Sequence, residues 1–202
     1  EAHYFDQHQE VLVALSGGLD SMTLFNWLYA ARDLLNISLS VAHINHQQRA
    51  VSDYEAKALQ YKMADLEIPF YIANYVGPFS EEKARDFRYD FFERIMKKYH
   101  LTALVTAHHK DDLTENFLIR QIRGSRLRHL TGMEAVQTFG EERQGLSLIR
   151  PLLDFEKSEF DATDYFEDAS NAENDYLRNR VRNLYLPAFE KENPRFSENL
   201  AG

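Results

Sequence analysis

Ser16-Gly17-Gly18-Leu19-Asp20-Ser21 gathers two hydroxyls, two glycines and a carboxylate where an apolar run, EVLVAL at 10–15, gives way to a pattern of longer period. Glycine lets a backbone approach an anion closely. A helix beginning here adds its first amides and a dipole that favours negative charge. Together these describe a cradle for phosphate or pyrophosphate. Asp20 conflicts with a phosphate neighbour unless a cation lies between them. Mg²⁺ suits that place, because it binds through few carboxylates plus phosphate oxygens. The loop lacks the Lys-Ser/Thr ending of a Walker A sequence and is not GxGxxG. The plain alternative is a turn with Asp20 as a helix cap.

A second constellation is His108, His109, Asp111, Asp112 and Glu115, where a buried-type run meets a helical one. Asp111 and Glu115 are four apart and Asp112 and Glu115 three apart, so they share a helical face. Acids at a helix start also answer the dipole, which explains many such clusters. A zinc site is disfavoured, since adjacent strand residues point to opposite sides. His43, Asn45 and His46 follow another strand-like run, and alternation aims His46 away from the other two. Adenosine recognition and local turn bonding both accommodate them. Arginines gather at Arg85 and Arg88, at Arg120, Arg123, Arg126 and Arg128, and at Arg178, Arg180 and Arg182. Phosphate contact is what arginine does well. A solvated face is the alternative, as is pairing of Arg180 and Arg182 with Glu167 or Asp168.

These residues need elements to position them. Strand patterns at 10–15, 37–44, 69–76 and 102–108 alternate with helical patterns at 20–35, 52–66, 80–99 and 111–123. Leu24, Leu28, Ala31 and Leu35 form the apolar face of the first helix. Ser52 with Glu55 reads as a capping box, Ser80 opens the next helix, and Gly124 ends the last. Four strand–helix units predict an α/β fold with a doubly wound, mostly parallel, Rossmann-like sheet. Beyond 124 the expectation is a hairpin or exposed loop at 140–145, a short edge strand in 146–153, and a helical tail at 176–192 bent at Pro187. Ligands of such sheets bind at the carboxyl ends of strands, which selects loops 16–21, 43–52, 76–80 and 108–112.

The chain has 202 residues, no cysteine, 44% hydrophobic residues and a net charge of −9. That suits one domain with an appendage. It excludes disulfides, thiolate metal sites and cysteine catalysis. No apolar run approaches the roughly 20 residues of a membrane span, and no signal peptide is visible, so a cytoplasmic protein without a membrane partner is expected. The acidic balance argues against general nucleic-acid binding, unless clustered arginine or a separate basic domain serves it.

SGGLDS resembles the PP-loop of the ATP pyrophosphatases, enzymes that cleave ATP to AMP and pyrophosphate while adenylating a substrate. The segments VAHINHQQR (41–49), ARDFRYDFF (84–92), TAHHKDDLTEN (106–116), RGSRLRHLTGM (123–133), IRPLL (149–153), EDASN (167–171) and RNRVR (178–182) are similar, in order, to those of tRNA(Ile)-lysidine synthetases. The resemblance covers nearly the whole chain. It implies ATP at Ser16, Gly17, Gly18, Leu19, Asp20 and Ser21, with His43 and Asn45 near the adenosine and Mg²⁺ on Asp20. It implies catalysis by Asp20, Asp112 and Glu115, and a substrate pocket with His108, His109 and Asp111. Arg85, Arg88, Arg120, Arg123, Arg178, Arg180 and Arg182 are the expected tRNA or phosphate contacts.

The implied reaction ligates free L-lysine to the wobble cytidine of tRNA(Ile) with a CAU anticodon. The oligomeric state is open, a homodimer included. The expected layout is a catalytic domain at 1–155 and a helical extension at 156–202, truncated before the family's C-terminal domains. One departure is that only Phe160–Thr163 separate DFEKSE from DYFEDASN, where the family has a fuller helix-turn. A tRNA thiolase is disfavoured by the absence of cysteine, and an ammonia-using synthetase by the AHxNH and HHxDD motifs. A non-catalytic nucleotide module would be marked by a missing acid, and all three acids are present.

Overall fold

A computed structural model describes residues 4–5, 9–47, 51–76, 81–125, 132–139, 146–167 and 173–201. The elements follow the alternation read from sequence: β1 Gln9–Ala14, α1 Leu19–Leu35, β2 Ile37–Asn45, α2 Ser52–Asp65, β3 Phe70–Asn74, α3 Glu81–Tyr99, β4 Ala103–Val105 and α4 Lys110–Ile122. Then come β5 Val136–Thr138, β6 Ser147–Ile149, a 3-10 turn Lys157–Glu159, α5 Leu177–Arg180, a π-helical turn Val181–Tyr185, α6 Leu186–Glu192 and α7 Phe196–Ala201.

The six strands lie in the order β3-β2-β1-β4-β6-β5. All pairings are parallel except β5 with β6. Because β1 feeds β2 on one side and borders β4 on the other, the crevice of the doubly wound sheet opens between the carboxyl ends of β1 and β4.

Period-two alternation splits the strands between two cores. Val11, Val13, Val41, Val105 and Ile149 face α1 and α2, where Phe25, Leu28, Leu59 and Met63 bury. Leu12, Ala42, Leu104 and Leu148 face α3, against Phe91, Phe92 and Met96. A third cluster joins Leu118 and Ile119 of α4 to Val181 and Leu186, so the tail helices dock on α4 rather than on the sheet.

Several expectations are corrected. Ser52 is the first helical residue, and the cap position falls to Val51 (φ −83°), without a side-chain cap bond. The 146–153 run supplies an inner strand, because β5, exposed at all three residues and without apolar alternation, pairs outside it. The tail is helical without a break from Leu177 to Glu192, with the π turn Val181–Tyr185 lying just ahead of Pro187. Ser80, the 140–145 loop, Arg126, Arg128 and Asp168 lie outside the described residues.

Candidate active site

The loop after β1 is held from inside. The buried Ser21 Oγ accepts from the Ser16 and Gly17 amides at 3.2 and 3.1 Å, and lies 3.1 Å from the Gly18 carbonyl, to which it donates. The Ser21 hydroxyl, expected from sequence to face the ligand, is thus committed to closing the loop. What remains for an anion are the leading amides of α1, which have no acceptor within the helix. Gly17 has φ +90°, and a Cβ there would meet the Phe166 ring at 2.9 Å. The Phe166 amide also donates to the Gly17 carbonyl at 2.9 Å. The short 156–166 segment, unreadable from sequence, therefore folds back over the loop.

Across the crevice stands His109, the N-cap of α4, whose ring is 1% exposed. Its backbone amide donates to Asp112 Oδ2 at 3.0 Å, the reach-back arm of a capping box. Its Nε2 lies 3.7 Å from Asp20 and 3.6 Å from Asp112, and its Nδ1 lies 3.7 Å from Asp111, all ion-pair rather than hydrogen-bond distances. Burial opposes charge on this ring, but the carboxylates outweigh it and raise its pKa. Asp20 is drawn down despite partial burial, by His109 and Lys157.

Lys157 Nζ sits 2.9 Å from Asp20 Oδ1 and 3.2 Å from Oδ2. Sequence reasoning missed this partner, since nothing in the spacing of DFEKSE links it to a loop 137 positions away. Among the described residues no group of three or more His, Cys, Asp or Glu is arranged to hold a metal. A single carboxylate beside helix amides fits a cation held chiefly by phosphate and water, as Mg²⁺ usually is. Asp20 Oδ1 is buried and touches the Lys157 ammonium in a geometry too poor for a hydrogen bond, so a cation that displaces the lysine finds its lone pairs.

Glu115, 1% exposed, is gripped by two arginines of the tail. Arg182 Nε donates to its Oε1 at 2.6 Å, and Arg178 Nε lies 3.3 Å from Oε2. Arg178 also donates to Asn116 Oδ1 at 3.0 Å and stands 4.0 Å from Asp112. Residues 178 and 182 are four apart on the helical tail, so successive turns bring both over one carboxylate. Arg180 instead donates to the Asn174 and Asp175 carbonyls.

On the other side of the crevice, His43 is buried and neutral, its Nδ1–H donating to the Leu15 carbonyl at 2.8 Å while burial lowers its pKa. Asn45 donates to Asp53 at 2.6 Å and accepts from the Gln47 amide at 2.9 Å. Both side chains brace the loops around β1 and β2. His46 points to the α3 side as alternation requires, near Tyr75.

Two cavities flank α4. One, about 470 Å³, is bordered by His109, Asp111, Glu115, Lys157 and Arg182. The other is an open groove of about 1540 Å³ along α3 and the opposite face of α4. It brings together Arg85, Arg88, Arg120, Arg123 and Arg178, adds the buried Arg150, and includes His108. Arg150 donates to the Glu134 carbonyl at 2.7 Å and to Gln137 at 3.0 Å. Burial among Arg150, Arg178 and Arg88 lowers His108 to about 4 against the pull of Asp112. Arg182 and Arg180 are not in this groove.

A family model described as a PP-loop domain matches residues 2–189. The chain is 54% identical over 202 residues to a curated tRNA(Ile)-lysidine synthase of Streptococcus sanguinis (strain SK36), covering 99% of this chain and 46% of that protein. A second curated tRNA(Ile)-lysidine synthase, from Lactococcus lactis subsp. lactis (strain IL1403), is 49% identical over 201 residues, with 47% of its length covered. The chain thus spans about half the length of these relatives. Among solved structures, a U34-tRNA thiolase from Methanococcus maripaludis superposes with a TM-score of 0.72 at 15% identity, over the whole of this chain and 72% of that one, a likeness of fold alone.

Proposed function

The chain belongs to the PP-loop domain family, and from that premise we propose that it is the adenylating part of a cytoplasmic tRNA(Ile)-lysidine synthase. The observation that carries the reading is the buried His109 at the β1/β4 crevice, 3.7 Å from the loop carboxylate Asp20 and 3.6 Å from Asp112, in a chain 54% identical to a protein of that name. In the proposed reaction the wobble cytidine of tRNA(Ile) attacks the α-phosphate of ATP through its ring carbonyl oxygen, and pyrophosphate leaves. The ε-amine of free L-lysine then attacks the activated ring carbon, AMP leaves, and the amine's proton passes to a carboxylate.

The α1 amides take the negative charge of the phosphates, with no reorganisation at the moment of reaction. Mg²⁺, held by Asp20, would supply Lewis-acid neutralisation of the leaving pyrophosphate. Asp112, Asp111 and His109 form the cluster that receives the proton, and Glu115, pinned by Arg178 and Arg182, orients α4 beneath them. The arginine groove guides the RNA strand, as guanidinium forks suit phosphates. Residues 1–155 hold the loop and the acidic cluster, and 156–202 close over them, adding Lys157 and Arg178.

The test is to incubate the chain with ATP, Mg²⁺ and tRNA(Ile) bearing CAU, at RNA concentrations high enough to offset weak binding. Pyrophosphate release that needs tRNA, followed by lysine incorporation, is expected. ATP binding without either product overturns the reading. Asp20→Asn is expected to slow pyrophosphate release about a hundredfold, a loss typical of one preorganised charge contact. Full activity in that variant removes Asp20 from metal binding.

A further inference from the structure

The loop at 16–21 lacks the lysine that a Walker A sequence places beside its phosphates. The fold brings one from elsewhere. Lys157 reaches over the crevice from the 3-10 turn and rests on Asp20. Its position is well anchored. The Lys110 amide, first of α4, donates to the Phe155 carbonyl at 3.0 Å, and Lys110 Nζ pairs with Glu156 at 2.9 Å. The turn itself is closed by Glu159 Oε1 accepting from the Glu156 amide at 2.7 Å. Phe160 then packs edge-on against both Trp27 and His109. Backbone and turn are thus fixed to α1 and α4, while the lysine head, 38% exposed on a four-carbon stem, keeps rotational freedom.

Asp20 cannot satisfy two cations equally. A divalent ion arriving with nucleotide competes with the ammonium for one carboxylate. The released ammonium, tethered beside the α1 amides, then finds the phosphate oxygens as its strongest available acceptors. We propose that Lys157 is the phosphate-binding lysine of this loop, parked on Asp20 in the free protein and exchanged onto the triphosphate when Mg²⁺ takes the carboxylate. The inference rests on the ATP reading above and adds a positioning residue to it.

The experiment is calorimetric binding of ATP and of AMP to the 202-residue chain across a Mg²⁺ series, without tRNA, for the wild type, Lys157→Met and Lys157→Arg. At saturating Mg²⁺, Lys157→Met is expected to bind ATP about tenfold more weakly, the effect of one charge-assisted contact, with AMP affinity unchanged. Lys157→Arg recovers most of the ATP affinity. The Mg²⁺ concentration giving half-maximal ATP binding falls in Lys157→Met, because Asp20 has lost its competitor. An unchanged ATP-to-AMP ratio in Lys157→Met, an unchanged Mg²⁺ half-point, or parallel loss of both nucleotides with a lowered melting temperature overturns the exchange. A wild-type chain that binds neither nucleotide sinks the ATP reading itself, and the role of Lys157 with it.

Discussion

At the scale of single residues, the two histidines that precede α4 are shifted in opposite directions by their surroundings. His109, ringed by Asp20, Asp112 and Asp111, has a raised pKa. Its contribution to stability is complete below the unfolded value of 6.5 and is lost as pH rises through the higher folded value. His108, buried near three arginines, is lowered to about 4 and stays neutral in the fold. It therefore costs stability as pH falls from 6.5 towards 4, and lowered His43 and His46 act the same way. Asp20, lowered, adds stability that persists above its unfolded value of 3.8 and disappears as pH drops through the folded one. Urea unfolding midpoints followed from pH 4 to 8 are expected to show His108→Gln softening the acid-side loss and His109→Gln softening the alkaline-side loss. The reverse pattern would contradict these environments.

At the scale of elements, two joints hold the site. The first is the clamp of Arg178 and Arg182 on Glu115, which fastens the tail helices to α4. Arg182→Met leaves a buried carboxylate short of its best partner, a change that costs about 3 kcal/mol when an ion pair is broken from one side. Thermal melting is expected to fall by roughly 6–12 °C, at 2–4 °C per kcal/mol for a chain of this size. Adding Glu115→Gln should restore part of it, since an amide tolerates the loss of the guanidinium better than a charge does. Equal melting of wild type and Arg182→Met would place the clamp outside the stability of the fold.

The second joint is Phe166 against Gly17. Gly17→Ala meets both the positive φ and the ring at 2.9 Å. A destabilisation of about 1–3 kcal/mol is expected from chemical denaturation, of which Phe166→Ala in the same chain relieves only the steric part. Full relief would mean that the backbone conformation carries no strain.

At the scale of the molecule, a chain of net charge −9 concentrates six arginines in one groove. The carboxylates Glu82, Asp86, Asp90 and Glu93 also border it, so the groove is a local, not a global, basic surface. On the proposed function, binding of the tRNA(Ile) anticodon stem-loop is expected to weaken with salt. Arg85→Ala and Arg88→Ala should each reduce the slope of log affinity against log salt by about 0.7–0.9, the signature of one lost phosphate contact. An unchanged slope in both variants would move the RNA path elsewhere. Among the described residues no helix is long and apolar enough to cross a membrane.

What the amino-acid sequence determined by itself was the set of local decisions. Alternation of period two against three to four placed β1 to β4 and their helices. The Gly-Gly turn located the loop, and carboxylates three and four apart located the acidic start of α4. These signals are local because they arise from hydrogen bonding and side-chain direction within a few residues. Tertiary structure alone decided which polar groups meet. Lys157 reaches Asp20, Arg182 reaches Glu115 rather than Glu167, Phe166 covers Gly17, and β5 turns β6 from an edge strand into an inner one. The first three contacts join segments distant in sequence, the β5–β6 pairing joins near neighbours, and an isolated lysine, arginine or three-residue polar strand carries no periodic mark of its partner. Long-range pairing is chosen by burial of the whole chain, and so it appears only once the sheet and its helices are assembled.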